Sequence, residues 1–204
     1  MVRPIASAVS ALVLLAPAAA FAQARILQFR SAEDAASPPD PAVCAAAPFK
    51  VNVRIGGTLY SYETRASDGM VVQDDARAIG KATACVELTS FAFPPGLSQN
   101  FLLHLTLRDG VYTALGTCTI VSNDVPKRGL VLAGCNLRLI GFPEGVLGGA
   151  VTSVSTFNPF GLDGFATGSY WTAQIYDRSA GPVRKTDSAR AMEWIEGGDD
   201  DSAK

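Results

Sequence analysis

The single histidine, His104, and the four cysteines, Cys44, Cys85, Cys118 and Cys135, are the side chains of widest chemical range in this chain. A serine–histidine–aspartate triad would have to pass its proton through His104. That residue stands between Leu103 and Leu105 in an alternating run, on the side away from its apolar neighbours. It reads as an exposed strand histidine. A zinc site needs three or four ligands at suitable spacing. One histidine and cysteines that pair with each other do not supply them, so no metal and no cofactor are expected. The chain has no Cys-x-x-Cys, no phosphate loop and no dinucleotide fingerprint.

The remaining candidates are weaker still. Glu63 and Glu87 are of the type used for paired-carboxylate glycoside hydrolysis, but both alternate with polar neighbours and read as surface residues. Asp199, Asp200 and Asp201 lack the spacing of a calcium loop and read as a solvated tail. Tyr112 and Trp171 fall on apolar strand faces. In a barrel they line a ligand cavity or simply fill the core, and the sequence leaves both open. No residue set specifies a reaction, and the catalytic residues are unknown at this stage.

These side chains must be positioned by strands. The run from Phe101 to Ile140 holds three alternating segments and two turns. Asp109-Gly110 suits a two-residue type I′ hairpin, which needs positive φ at both central positions. Counting outward from it sets Leu107 opposite Tyr112, Leu105 opposite Ala114, Leu103 opposite Gly116 and Phe101 opposite Cys118. The turn over Asn123–Gly129 then brings Cys118 opposite Cys135, within disulfide reach for cross-strand neighbours about 4.5–5.5 Å apart. A Cys118–Cys135 bond leaves Cys44–Cys85 as the second. Along Ile79–Phe91, Ala82, Ala84, Val86 and Leu88 share one face, so Cys85 points outward to tether the segment that carries Cys44.

Further strands are read at 49–55 and 58–64, joined by a turn at Gly56-Gly57, and at 147–157 and 166–176. About eight strands with short turns and no long amphipathic helix leave a barrel or a two-sheet sandwich. Hairpin-by-hairpin order favours an all-β, eight-stranded antiparallel up-and-down barrel. The expected plan is a barrel over residues 49–177, an extended proline-rich N-terminal arm over 23–48, and a polar C-terminal tail over 178–204 with a short helix near 187–196.

Arg3, the apolar run Ile5–Ala16 and the Ala20-Phe21-Ala22 motif read as a cleavable bacterial signal peptide over 1–22. The expected compartment is therefore the periplasm or the exterior, where four cysteines can oxidise. Removing Arg3 leaves 16 basic and 19 acidic residues, a net charge of −3. With no basic excess, nucleic acid is not an expected partner. No later apolar run reaches the roughly 20 residues of a spanning helix, so no membrane span is expected in the mature chain.

The segments GTCTIV, AGCNLRL, GFPEGVLGGAVTS and FNPFGLDGFATGSYWT, between Gly116 and Thr172, resemble bacterial members of the allene oxide cyclase barrel-like family. The resemblance implies an eight-stranded barrel related to dirigent proteins, a dimer or trimer, and activity that shapes an apolar substrate with few acid–base groups. The resemblance assigns the catalytic glutamate and cysteine of the plant members to no particular residue of this chain. Two functions follow as expectations. One is an exported barrel that binds a small apolar ligand or serves as a homo-oligomeric module. The other is a cyclase or isomerase that folds an apolar substrate in the lumen.

Overall fold

Alternation decides the architecture. Burial alternates along most of the long strands, as in Val131–Gly141, where Val131, Ala133, Cys135, Leu137 and Leu139 are buried while Asn136, Arg138 and Ile140 are exposed. A strand with one apolar face needs a partner for that face, and here eight such strands curl until they face each other. The structure, a computed structural model, describes residues 23–64, 71–72 and 77–178. The signal peptide read over 1–22 and the helix and acidic tail read beyond 178 lie outside the described residues.

The strands are β1 (Gln23–Glu33), β2 (Val53–Ser61), β3 (Glu63–Thr64), β4 (Val71–Val72), β5 (Ala78–Glu87), β6 (Ser98–Leu107), β7 (Gly110–Ser122), β8 (Val131–Gly141), β9 (Val146–Phe157) and β10 (Gly168–Asp177). One short helix, α1 (Pro41–Ala45), lies between β1 and β2. The barrel is closed in the order β1-β10-β9-β8-β7-β6-β5-β2, with β3 and β4 as a separate two-stranded ribbon. Every neighbouring pair is antiparallel. The fold is therefore the all-β, eight-stranded antiparallel barrel that the alternation calls for.

Three expectations need correction. First, residues 23–33 are not part of an extended arm. They form β1, the strand that closes the barrel by pairing with both β10 and β2. Its alternation is masked because Ile26 on the outer face is 53% exposed while Arg25 faces in. Only 34–52 runs outside as an arm. Second, Gly56-Gly57 is not a turn, and β2 runs straight through it. A Cβ on Gly56 would collide with backbone of Ser37, Pro38 and Pro39, and one on Gly57 with the Ala32 carbonyl. The glycines let the arm and β1 approach closely. Third, the β6–β7 turn holds Arg108 and Asp109, so Leu105 pairs with Tyr112, Leu103 with Ala114 and Phe101 with Gly116. The shift is two residues, an even number, so every side chain keeps its expected face.

The arm packs on the barrel's outer wall. Cys44 on α1 bonds Cys85 on β5, and both are buried with Leu102, against Phe49, Val51 and Leu115. Cys85, Leu102 and Leu115 all point outward, and the arm supplies the cover they need. Asp40 caps α1 by accepting from Ala42 N, and Asp40 N donates to Thr83 Oγ1 on β5. Asn52 completes the junction. Its amide donates to Leu88 O and accepts from Leu88 N, both at 2.8 Å, which extends the sheet by one side chain.

Because three backbone groups of the arm crowd Gly56, Gly56→Ala is expected to lift the arm without opening the barrel. The predicted loss is about 1–3 kcal/mol, as for overpacking. Thermal melts and limited proteolysis check it. Cleavage within 34–52 should quicken while the far-ultraviolet β spectrum holds.

Candidate functional site

The barrel's two ends differ. At the end that carries the β6–β7 and β8–β9 turns, the inward residues are polar and locked together. Arg25 on β1 donates from Nη1 to Asp109 Oδ2 at 2.5 Å and from Nη2 to the Tyr112 hydroxyl at 2.8 Å. The hydroxyl in turn donates to Asp109 Oδ2 at 3.0 Å, and Arg25 Nε lies 3.3 Å from Asp177 Oδ2. Burial alone would raise the Asp109 carboxyl, but the bonds from Arg25 and Tyr112 outweigh it and hold Asp109 below its ordinary range. Burial, with Asp109 as acceptor, pushes the Tyr112 phenol up and so keeps it protonated. This cluster is a polar stopper.

The middle of the lumen is filled. Phe29 and Trp171 stack with ring centroids 6.5 Å apart, and Phe101 lies 6.1 Å from Trp171. Leu59, Leu103, Leu105, Leu137 and Val151 belong to the same packed core. Trp171 Nε1 donates to Ser31 Oγ at 3.0 Å, so the buried indole is satisfied. Next to it, Ser169 donates to Ser155, which lies 3.0 Å from Ser153. These hydroxyls satisfy each other across β9 and β10.

At the opposite end the barrel is open. A cavity of about 460 Å³ lies under the long loops. Its wall is Val53, Ile55, Val86, Phe101, Ile120 and Phe157; Phe91 and Phe93 stand on its lip, and Cys118 contributes one side. The Cys118–Cys135 bond joins β7 and β8 just there, with both sulfurs on the buried face. The lip is built, not slack. Asn158 donates to the carbonyls of Leu162 and Phe165 and accepts from Leu162 N, which folds the β9–β10 loop on itself. Phe93 has φ of 48°, a left-handed conformation that costs a non-glycine residue energy and recurs at binding sites.

Gln99 is the notable polar group of the cavity wall. It faces inward from β6, opposite Cys118, and is 8% exposed. Its carboxamide makes no hydrogen bond among the described residues. Glu33 and Arg54 lie at the mouth, exposed and of opposite charge, and no ion pair joins them.

Sequence reasoning placed Tyr112 and Trp171 on inward faces, and both are buried. Neither lines the cavity wall. Tyr112 belongs to the polar stopper at the far end, and Trp171 forms the floor, bordering a void of only about 40 Å³ next to the cavity. Alternation gives the face of a residue but not its height along the axis. Gln99 was missed for a related reason. The alternating run reads from Phe101, while the strand begins at Ser98 and Gln99 shares the phase of Phe101, Leu103 and Leu105. His104 is on the outer wall, where its Nδ1 lies 3.0 Å from Thr113 Oγ1. Glu87 is also outside, accepting from Asn100 at 2.7 Å, and the Glu63 side chain lies outside the described set. Among the described residues no three His, Cys, Asp or Glu gather as a metal site, and no helix is long and apolar enough to cross a membrane. No family model, curated protein or solved structure matches this chain.

The depressed Asp109 carboxyl sets a pH dependence. A folded-state value below the unfolded one contributes stability above about pH 4, and that contribution is lost as pH falls through the folded value. Thermal melts taken from neutral pH downward should show the parent chain losing stability below about pH 4 more steeply than Asp109→Asn, the two curves converging in acid.

Proposed function

We propose that this chain is an exported barrel that takes a small apolar ligand into the cavity at its loop end. The observation that carries the reading is a built apolar cavity of about 460 Å³, in the range of small-molecule sites, in a barrel whose other end is stoppered. Rings and branched side chains make up its wall, and the arm and loops hold the lip in place. Two disulfides suit an oxidising compartment, in keeping with the secretory signal read at the N-terminus. The eight-stranded barrel is also what the resemblance to the allene oxide cyclase barrel-like family implies, and we keep that kinship as part of the proposal.

Binding is preferred over ring closure or isomerisation for a chemical reason. Such reactions want a proton donor or acceptor against the substrate. Glu33 is the sole carboxylate among the described residues lining the cavity, and it is exposed at the mouth.

Ala133 lies buried in the cavity wall on β8. Ala133→Trp is expected to fill the space and to weaken binding of the fluorescent probe N-phenyl-1-naphthylamine by about tenfold or more. Fluorescence titration measures it, with circular dichroism confirming an intact barrel. Equal saturable binding by both proteins would move the site elsewhere.

A second reading, an oligomeric module, rests on the outer wall. Val154 on β9 and Tyr170 on β10 sit directly opposite each other and are 69% and 44% exposed. Ile26 and Tyr176 are exposed on the same face, among Ala150, Thr152, Thr172, Gln174 and Gln28. Arg30 alone carries charge on the outer side of these three strands. A face this poor in charge suits a second copy. Sedimentation velocity should find more than one copy in the parent particle and a monomer for Val154→Lys.

A further inference from the structure

We infer that the ligand of this cavity carries a single uncharged group that both donates and accepts a hydrogen bond, and that Gln99 is the residue that selects it. The inference rests on the cavity being a ligand site and goes on to name the chemistry of the ligand. Gln99 is 8% exposed and turns its carboxamide into a wall shared with Val53, Ile55, Val86, Phe101 and Ile120, the other polar lining residues being Glu33, Arg54, Asn158 and Thr167.

Elsewhere in the lumen, polar side chains bond to one another, and of their atoms only Arg25 Nε is buried without a hydrogen-bond partner among the described residues. The Trp171 indole has Ser31, Ser153 and Ser169 have Ser155, and Tyr112 has Arg25 and Asp109. The lip residue Asn158 is consumed by its own loop. Gln99 is the exception, with a free NH₂ and a free carbonyl oxygen among the described residues. Its nitrogen and oxygen are not among the buried unpaired atoms but open onto the cavity, so a ligand that covered them without bonding to them would leave them unpaired at a cost in free energy. An apolar side chain at this position would avoid that cost and pack against Phe101 and Ile120. The carboxamide is therefore best explained by a partner that enters with the ligand.

The chemistry of that partner follows from the amide. A carboxamide offers one donor face and one acceptor side by side. Its complement is another such pair, as in a primary amide, a lactam or a protonated carboxylic acid. An ionised head is disfavoured. Glu33 and Arg54 balance each other at the mouth, and no charged side chain lies beside Gln99 in the wall to offset a buried ion. The apolar remainder of the ligand would lie over Phe101 and under Phe91, Phe93 and Phe157.

The test compares naphthalene with 2-naphthamide, which differ by one carboxamide. Equilibrium dialysis gives both affinities for the full chain and for Gln99→Leu. The parent protein should prefer the amide by about tenfold beyond the ratio set by their solubilities in water. Gln99→Leu should lose that preference while binding naphthalene at least as well. An equal preference in both proteins, or none in the parent, overturns the role of Gln99 while leaving the cavity a ligand site. Failure of either protein to bind either probe overturns the cavity reading itself, and the inference with it. Gln99→Asn, which keeps the amide but withdraws it by one methylene, should fall between the two.

Discussion

An eight-stranded barrel encloses a tube only about wide enough for its own inward side chains to fill, and this limit governs the rest of the molecule. Each layer along the axis can hold a few large residues or leave space, but not both. Here the layer of Phe29, Phe101 and Trp171 spends its volume on aromatic rings. Below it, Leu103, Leu105, Leu137 and Leu139 leave no room, and Arg25, Asp109 and Tyr112 finish that end with polar bonds. Above it, the inward positions shrink to Gln99, Cys118, Ala133 and the shorter aliphatics. The cavity exists because small side chains follow large ones along the axis. The filled layer beneath makes it a pocket with a floor instead of a channel.

The two disulfides act on opposite sides of one wall. Cys118–Cys135 is inside, between adjacent strands of a sheet that is already paired there. It closes a short loop of chain, and it occupies a cavity-wall position with little volume. Cys44–Cys85 is outside and spans 41 residues. It fixes a segment with little regular structure of its own to the back of β5, which buries Leu102 and partly covers Leu115. Loop-closure entropy favours the longer bridge as the larger stabiliser. The arm reaches the cavity as well, because Asn52 pairs with Leu88 and Leu88 lines it. One wall thus carries a tether on its outer surface and a binding surface on its inner one.

How far the sequence was legible depends on which physical signal each feature leaves. Face is encoded by alternation, so the inward sets of β5 to β8 and both cysteine pairs could be read before any coordinates. That survived even a wrong turn position, since moving the turn from Asp109-Gly110 to Arg108-Asp109 changes the register by two. Turn and strand chemistry are less separable for glycine. Gly56-Gly57 serves close backbone approach and not reversal, and a single sequence writes both in the same letters. β1 escaped because Arg25 faces inward and Ile26 outward. Its inverted polarity makes sense only once the polar stopper and the uncharged outer face are seen.

The same reasoning explains why the site was harder to read than the fold. A binding site is a departure from the pattern that makes the barrel, a polar residue where the phase demands an apolar one. Gln99 satisfies that description, as do Arg25, Ser153, Ser155 and Ser169. Only three-dimensional neighbours separate the exceptions. Arg25 and the serines are matched by other exceptions nearby, so within the fold they cancel. Gln99 has no such match in a largely apolar wall facing open space. What distinguishes a functional irregularity from a structural one in this barrel is the absence of a partner among the described residues, and a partner is a property of contacts and not of sequence order. Phase, extended two residues back from Phe101, would have put Gln99 inside the barrel; only the packed structure could show that its amide was left over.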